Sequence, residues 1–190
     1  MRSTTLGILF FCFAIQSWAQ SPNLNRENIG KDGTAKLLGK IDGEGLRSKS
    51  YGEWFVPEYD NYTVDSTRTT VLKRHLPDFE ILLFMGTWCG DSRREVPRFY
   101  KILDVLEFPK EQLTAVAVDY EKPMYKKSPG GEEKGMDIRK VPTFIFLKDG
   151  KEVNRIVESP LGSLEADMEK IVKGAHYVPN YKVVRVVPID

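Results

Sequence analysis

The segment FEILLFM, residues 79–85, constrains the fold of this 190-residue chain more than any other, because it is apolar almost without interruption. A strand that is apolar on both sides needs cover on both faces, so this segment predicts a strand inside a sheet. A second such run, LTAVAV at residues 113–118, predicts another buried strand. Between them, apolar residues at helical spacing predict a helix that ends near Leu106. Strand, helix and strand of these lengths indicate a right-handed parallel crossover.

The flanking sequence predicts the rest of the sheet. Residues 121–135 are polar and contain two prolines and a glycine pair, which indicates a long loop. TFIFL at residues 143–147, an Asp-Gly turn and the alternating EVNRIV predict a hairpin, and an amphipathic helix follows it. In front, a short strand is expected at residues 62–64 and a capped helix at 65–75. The order of elements predicts an α/β fold with a central mixed β-sheet flanked by helices on both faces.

The composition along the chain suggests four parts. Residues 1–19 are expected to be a signal peptide, and residues 20–53 a polar N-terminal arm or linker with little periodicity and a candidate short strand near residues 37–41. A single domain is expected at residues 54–175. Residues 176–190 form a C-terminal tail whose sequence favours extended structure.

Residues 1–19 have the pattern of a secretory signal. A positive charge precedes a short apolar run at residues 6–15, and Ser17 and Ala19 fit a cleavage site. The alternative is a short membrane anchor that stays attached. Cleavage predicts an exported, periplasmic or extracellular protein with no stable membrane insertion. It would also remove Cys12, one of the two cysteines of the chain.

Charge and histidine content exclude several classes of function. The formal net charge is +1 with acidic and basic residues interspersed, so we expect no nucleic-acid partner and no polybasic membrane anchor. The two histidines, His75 and His176, are far apart and have no ligand at a suitable spacing. We therefore expect no metal site and no cofactor.

Cys89 is the candidate nucleophile, because it stands between a buried strand and the start of a helix. Unpaired N–H groups and the partial positive charge of a helix N-terminus favour a thiolate over a thiol. Gly90 would leave the sulfur exposed, and Ser92 could donate a hydrogen bond to it from one turn away. Asp91 opposes the thiolate by its own charge. The two arginines that follow Ser92 could offset that charge, but a solvated helix face is the expected place for them.

These residues resemble the active site of the thioredoxin family, whose motif is Trp-Cys-Gly-Pro-Cys. Residues 88–92 read Trp-Cys-Gly-Asp-Ser, and Pro97 matches the proline within the family's active-site helix. VPT at residues 141–143 matches the family's cis-proline and the strand after it. The resemblance covers about residues 54–175 and implies a thioredoxin fold of the exported bacterial type. It also implies that Val141 and Pro142 face the nucleophile and bind a polypeptide substrate.

The departures from the motif bear on the activity. Ser92 replaces the cysteine that resolves a mixed disulfide, and Leu83 stands where the family has a buried acid. Ala115 stands where that acid's lysine neighbour is expected. The motif therefore predicts a monothiol thiol–disulfide oxidoreductase or isomerase, in which Cys89 forms mixed disulfides and Trp88 shields the site. Its partners would be protein or peptide disulfides and thiols, with a low-molecular-weight thiol as a second candidate.

A non-catalytic binding module is the alternative, with Cys89 as a relic or a covalent tether. An extended peptide would then pair with the surface around Trp88, Val141 and Pro142. The loss of the second cysteine and of the buried acid favours this reading. Thiol–disulfide chemistry is the first hypothesis and peptide binding the second.

Overall fold

The computed structural model describes residues 23–181 as one α/β unit of seven strands and five α-helices. Single turns of 3-10 helix lie at Leu76–Asp78 and Lys110–Gln112. The elements in chain order are β1 (Glu27–Ile29), β2 (Ala35–Leu37), β3 (Gly39–Ile41), α1 (Gly43–Leu46), α2 (Lys49–Asn61), α3 (Ser66–His75), β4 (Glu80–Met85), α4 (Gly90–Leu106), β5 (Leu113–Ala117), β6 (Thr143–Lys148), β7 (Lys151–Val157) and α5 (Leu164–Val172).

The central sheet has five strands in the order β3-β5-β4-β6-β7. Strands β4 and β5 are parallel and joined through α4, whereas the other neighbouring pairs are antiparallel. β1 and β2 form a separate antiparallel hairpin. The predicted α/β class with a central mixed sheet flanked by helices is confirmed, and β4 lies at the centre of the sheet as its apolar sequence requires.

The two faces of the sheet are covered differently. One face carries Ile81, Leu83 and Met85 of β4, and the buried apolar residues of all five helices pack in the same cluster. The opposite face carries Phe84 of β4 in a smaller cluster, whose other members come from strands, from residues 88 and 89, and from the segment between β5 and β6. We call that segment, residues 118–142, the covering segment. Irregular chain therefore covers the second face, whereas the sequence analysis expected helices on both faces.

The N-terminal region differs from the expectation of a loosely ordered arm at residues 20–53. Within it β3 pairs with β5 at the edge of the central sheet, and Ile41 and Leu46 are buried in the main core. Asp42 caps α1 by accepting the N–H groups of the second and third residues after it. β3 overlaps the candidate short strand near residues 37–41, but the burial of the region was not expected, because strands of three residues show almost no alternation.

Helix α2 was not predicted from the sequence. Pro57 lies inside it and Gly52 near its start, and both weaken a helical pattern. Packing compensates for this, because the Phe55 ring lies 6.0 Å from that of Tyr59 and 5.9 Å from that of Tyr100 on α4. The strand expected at residues 62–64 is absent there, since the chain merely leaves the helix in extended conformation.

The remaining expectations agree with the described elements. Asp65 caps α3 through the N–H groups of Thr67 and Arg68, as its position before the helix predicts. The hairpin of β6 and β7 turns at Asp149 and Gly150. Residues 1–19, the expected signal, and residues 182–190 of the expected tail lie outside the described residues. Among the helices described, none combines the length and apolar character needed to cross a membrane.

Candidate functional site

A tight turn carries the chain from the end of β4 into α4. The Cys89 N–H donates to the Gly86 carbonyl at 2.9 Å, and Cys89 is the N-cap residue of α4. A side chain at Gly86 would clash, because its Cβ would lie 2.5 Å from an indole carbon of Trp88. Gly90 is exposed, and a Cβ at this position would have no neighbouring atom within 4 Å.

The Cys89 sulfur lies against the loop that precedes β6. Its thiol donates to the carbonyl oxygen of Val141 at an Sγ–O distance of 3.2 Å. The peptide bond between Val141 and Pro142 is cis, and both residues are buried. The structure thus brings together the three residues that the sequence analysis named from distant parts of the chain.

Ser92 has a different partner from the one expected. It is fully buried, and its Oγ accepts the N–H of Gly86 at 3.2 Å. The hydrogen bonds of the described residues include none between Ser92 and the Cys89 sulfur. Ser92 lies on the inward face of α4, so its hydroxyl points towards the end of β4 and away from the sulfur. Ser92 therefore holds the turn before the cysteine.

Asp91 is paired with Arg94, the alternative to a solvated helix face that the sequence analysis left open. Arg94 donates to the Asp91 carboxylate at 2.8 Å and to the buried Glu95 carboxylate at 2.6 Å. These two acids, Glu95 first, raise the pKa of Arg94. The negative charge beside Cys89 is therefore partly compensated, by an arginine one turn away that also pairs with Glu95.

Arg93 is also held in place, so neither arginine lies on a simple solvated helix face. Its Nε donates to the carbonyl of Thr87 at 2.6 Å. Its guanidinium lies 5.8 Å from the ring centre of Trp54 on α2. Arg93 thus connects the cysteine turn to the helical layer.

Trp88 is half-buried and is held by one hydrogen bond and two aromatic contacts. Its indole N–H donates to the carbonyl of Val118 at 2.9 Å. Its ring centre lies 5.7 Å from that of Tyr120 and 6.4 Å from that of Tyr125. The side chain closes one side of the cysteine turn and continues into the covering segment, where sequence reasoning had placed only a loop.

Lys36 on β2 anchors this region and was missed by the sequence analysis. Its ammonium is almost fully buried and lies 2.6 Å from Asp119 and 3.3 Å from Glu121. Burial opposes the charge, but the hydrogen bonds to these two carboxylates outweigh it and raise the Lys36 pKa. The ammonium also lies 4.5 Å from the ring centre of Tyr120. The only indication of this buried ion pair in the sequence is a lysine that stands between two apolar residues, Ala35 and Leu37.

The position of the family's buried acid is apolar throughout. Leu83 is fully buried on β4, with Ala115 opposite it on β5 and Phe144 opposite it on β6. The pairing of Leu83 with Ala115 is the register that the sequence analysis assumed. In residues 23–181, no three His, Cys, Asp or Glu side chains are grouped so as to hold a metal ion.

Comparisons with known proteins give relatives over nearly half of the chain. It is 33% identical to a thioredoxin of Malassezia sympodialis over 86 residues, which are 45% of this chain and 74% of that protein. It is 30% identical to an H-type thioredoxin of Picea mariana over 48% of the chain. It is 34% identical to a TPR repeat-containing thioredoxin of Arabidopsis thaliana over 45% of the chain. No protein-family model matches.

The matched share of these relatives varies. The alignments span 66% of the Picea protein and only 20% of the Arabidopsis protein. Among solved structures, oxidized mitochondrial thioredoxin 3 of Saccharomyces cerevisiae aligns over 61% of this chain and 97% of its own, at 22% identity and a TM-score of 0.34. A Pseudomonas aeruginosa protein of unknown function aligns over 68% and 87%, at 13% identity and a TM-score of 0.49.

Proposed function

This chain belongs to the thioredoxin family, and on that premise we propose that it is a monothiol thiol–disulfide oxidoreductase or isomerase with Cys89 as nucleophile. The observation that supports this most is the contact between the Cys89 sulfur and the Val141 carbonyl beside Pro142. This contact places a partly exposed thiol, at the N-terminus of α4, beside the backbone of Val141. Thioredoxin-like redox chemistry is the function at family level, and the single-thiol mechanism is our proposal.

The proposed reaction has two exchange steps. The Cys89 thiol loses its proton to solvent, and the thiolate attacks one sulfur of a substrate disulfide. That disulfide bond breaks, a mixed disulfide with Cys89 forms, and the departing thiolate takes up a proton. A thiol from solution or a second thiol of the substrate then attacks the mixed disulfide and releases Cys89. Because position 92 is a serine, no thiol of the cysteine motif competes for this second step.

The proposed substrates are protein or peptide disulfides and thiols, with a low-molecular-weight thiol as the releasing agent. An extended polypeptide would pair with the backbone at Val141, which precedes the cis-proline as in other thioredoxins. We assign Trp88 the shielding of the mixed disulfide, and Gly90 the open approach to the sulfur. Asp91, paired with Arg94, would oppose the thiolate less than an unpaired carboxylate would.

We also propose that residues 1–19 direct export and are then removed. A thiol protein of the periplasm or the extracellular space would meet substrate disulfides there. The support is the sequence pattern of a positive start, a short apolar run and a small-residue cleavage site. Expression of the full chain in a bacterial host, with N-terminal sequencing of the periplasmic product, should give a protein that begins at Gln20. A cytoplasmic product that begins at Met1 would contradict the proposal.

A non-catalytic binding module is the second candidate. The apolar site around Leu83 supports it, because a thioredoxin that lacks the buried acid lacks the group that moves protons in the two-cysteine cycle. In this reading the backbone at Val141 and the ring of Trp88 bind a peptide, and Cys89 is not needed.

One experiment separates the two candidates. The wild type, Cys89→Ala and Ser92→Cys, all without residues 1–19, react with a peptide disulfide that fluoresces on cleavage. We expect the wild type to form a stoichiometric mixed disulfide that persists until a thiol is added, and Cys89→Ala to be inert. Ser92→Cys should release the peptide without added thiol, because a second thiol one helical turn away can attack.

The outcomes of that experiment are mutually exclusive. If the wild type and Cys89→Ala show equal exchange, Cys89 is not the nucleophile and the redox proposal fails. If neither reacts but both bind the peptide with equal affinity, the binding-module reading replaces it.

A further inference from the structure

Glu158 has a backbone conformation that a residue with a side chain rarely adopts. Its φ is 65°, in the left-handed region, and it directly follows the last residue of β7. The N–H of Ser159 donates to the carbonyl of Val157 at 2.8 Å, so these three residues form a γ-turn with Glu158 at its centre. The positive-φ form of this turn is rare and strained. Glu107 and Asp149 also have positive φ, but they end a helix and turn a hairpin, whereas Glu158 does neither.

The backbone of this turn holds the loop that precedes β6. The N–H of Glu158 donates to the carbonyl of Pro142 at 2.7 Å, one step beyond the last strand pair, Val157 with Thr143. The turn thus ends β7 while its backbone still contacts the residue after Val141. Strained backbone persists where the surrounding structure requires it, and here it adjoins the proposed nucleophile.

The Glu158 side chain holds the same loop from a second side. Its carboxylate accepts a hydrogen bond from the Nζ of Lys140 at 3.1 Å, and Lys140 directly precedes Val141. The carbonyl of Lys140 also accepts the hydroxyl of Thr143 at 2.7 Å. The residue whose carbonyl contacts the Cys89 sulfur therefore lies between two residues that Glu158 binds.

Two cations and one hydroxyl group act on the Glu158 carboxylate. Burial opposes its charge, but hydrogen bonds from Tyr181 and Lys140, together with the charge of Lys126, outweigh the burial and lower the Glu158 pKa. The Tyr181 ring centre also lies 4.7 Å from the Lys140 ammonium. Among residues 23–181, Glu158 is the one carboxylate that pairs with this ammonium. At neutral pH the two side chains therefore form an ion pair.

We propose that Glu158 is a positioning residue for the exchange reaction, which together with Lys140 holds the Val141 carbonyl against the Cys89 sulfur. This inference rests on the proposed function and adds a residue that lies outside the cysteine motif. The hydrogen bond from the thiol to that carbonyl favours the thiol over the thiolate, so release of the loop should leave a more reactive sulfur. The same loop provides the backbone for an extended substrate, so its release should weaken peptide binding.

Charge reversal of the ion pair separates positioning from a direct effect of charge on Cys89. Glu158→Lys and Lys140→Glu each bring like charges together, so both should release the loop, whereas the double variant restores an ion pair of opposite polarity. A direct effect would have opposite signs, because Glu158→Lys adds positive charge and Lys140→Glu adds negative charge. The backbone at position 158 tolerates a lysine, since Lys126 also has a positive φ in this protein.

Each variant, without residues 1–19, is measured in two reactions. Alkylation of Cys89 by iodoacetamide, a neutral reagent, reports the reactivity of the sulfur. Mixed-disulfide formation with an uncharged peptide disulfide gives the half-saturating peptide concentration. At pH 7 and low ionic strength, we expect both single variants to be alkylated about threefold faster and to need about threefold more peptide, the scale of one partly exposed ion pair. The double variant should return both values to those of the wild type.

Asp78→Lys is the matched control, because it reverses one partner of the exposed ion pair with Lys148 at the far end of β6. It should change neither measurement. If a charge reversal lowers the urea midpoint of unfolding, Glu158→Gln and Lys140→Met replace it. Both of these milder variants should shift the two measurements in the directions given above, by about twofold.

The outcomes distinguish the two proposals. Opposite shifts of the alkylation rate in the two single variants would show that the charges act directly on the sulfur, and the positioning role would be wrong. It would also be wrong if neither single variant differs from the wild type, or if the double variant fails to recover. If the wild type forms no mixed disulfide with the peptide, the redox proposal fails, while the alkylation rates still decide whether Glu158 holds the loop.

Discussion

At the scale of single residues, Gly86 determines where Trp88 can lie. A Cβ at this position would approach the indole to 2.5 Å, so Gly86→Ala has to displace the ring or the backbone. We expect a loss of about 1–3 kcal/mol in the free energy of unfolding, typical of an overpacked site. Urea denaturation followed by circular dichroism measures it.

Gly90→Ala is the matched control for Gly86→Ala, because its Cβ would meet open space at the first position of α4. We expect it to be neutral or to stabilise the fold by up to about 1 kcal/mol. Equal stability of the two alanine variants would contradict the role given to Gly86.

Arg94 is the residue that pairs with Asp91 beside Cys89, the proposed nucleophile. Because both side chains are more than a third exposed, the pair should have a modest effect that salt screens. We expect Arg94→Gln to slow alkylation of Cys89 at neutral pH by about two- to fivefold at low ionic strength, since the uncompensated Asp91 charge disfavours the thiolate. The effect should shrink in high salt.

Two further variants show whether Arg94 acts through Asp91. In an Asp91→Asn background, Arg94→Gln should have little effect on the alkylation rate, because the charge it compensates is gone. Arg98→Gln removes an arginine of the same helix that pairs with Glu58 instead, and should leave the rate unchanged. An undiminished effect in the Asp91→Asn background would mean that Arg94 acts through the buried Glu95.

At the scale of elements, the pair between Lys36 and Asp119 attaches the β1–β2 hairpin to the covering segment. Burial opposes the Asp119 charge, but the Lys36 ammonium and two backbone N–H groups outweigh it, so the Asp119 pKa is lowered. A carboxyl whose pKa is lower in the folded state stabilises the fold above its unfolded value of about 4. That contribution is lost as the pH falls through the folded pKa.

We therefore expect Asp119→Asn to lose about 1–3 kcal/mol of unfolding free energy at pH 7, because the buried Lys36 ammonium then keeps only its longer contact with Glu121. The difference from the wild type should narrow as the pH falls below about 4. Urea titrations from pH 7 to pH 2.5 measure it. Asp78→Asn breaks the exposed pair with Lys148 and should cost less than about 1 kcal/mol. A difference that is constant with pH would refute the linkage.

Elements with a strong repeat could be predicted from the sequence, whereas those that depend on tertiary contacts could not. The apolar run of β4 and the periodicity of α4 are local, so both were placed within a residue or two of their ends. Helix α2 contains Pro57 and depends on aromatic packing against α4, which no local pattern shows.

At the site, Cys89, Val141 and Pro142 were predictable from the motif. The partners of Ser92 and Arg94 were not, because side-chain direction depends on the folded backbone.

At the scale of the whole molecule, the folding unit is larger than the segment that resembles a thioredoxin. Residues before Trp54 provide the edge strand β3 and bury Leu37, Ile41, Leu46 and Tyr51 in the main core. A chain that starts at residue 54 would expose the edge of β5 and leave cavities in their place.

We expect the chain that starts at residue 54 to show no cooperative thermal transition by circular dichroism, whereas the chain that starts at residue 20 should unfold in one step. A chain that starts at residue 23 is the matched control, because it keeps every described residue. A cooperative transition of the shorter chain would show that the N-terminal elements are dispensable.

The unequal cover of the two sheet faces has a consequence for how such a protein can diverge. The helices and their core lie on one side, and the covering segment with its two tyrosines lies on the other. Irregular segments tolerate insertions and substitutions better than packed helices do. Mutations in residues 118–142 can therefore alter recognition while the helical layer is inherited unchanged. Selection can act on the two faces almost independently, which favours descendants that share the helical layer and differ in the covering segment.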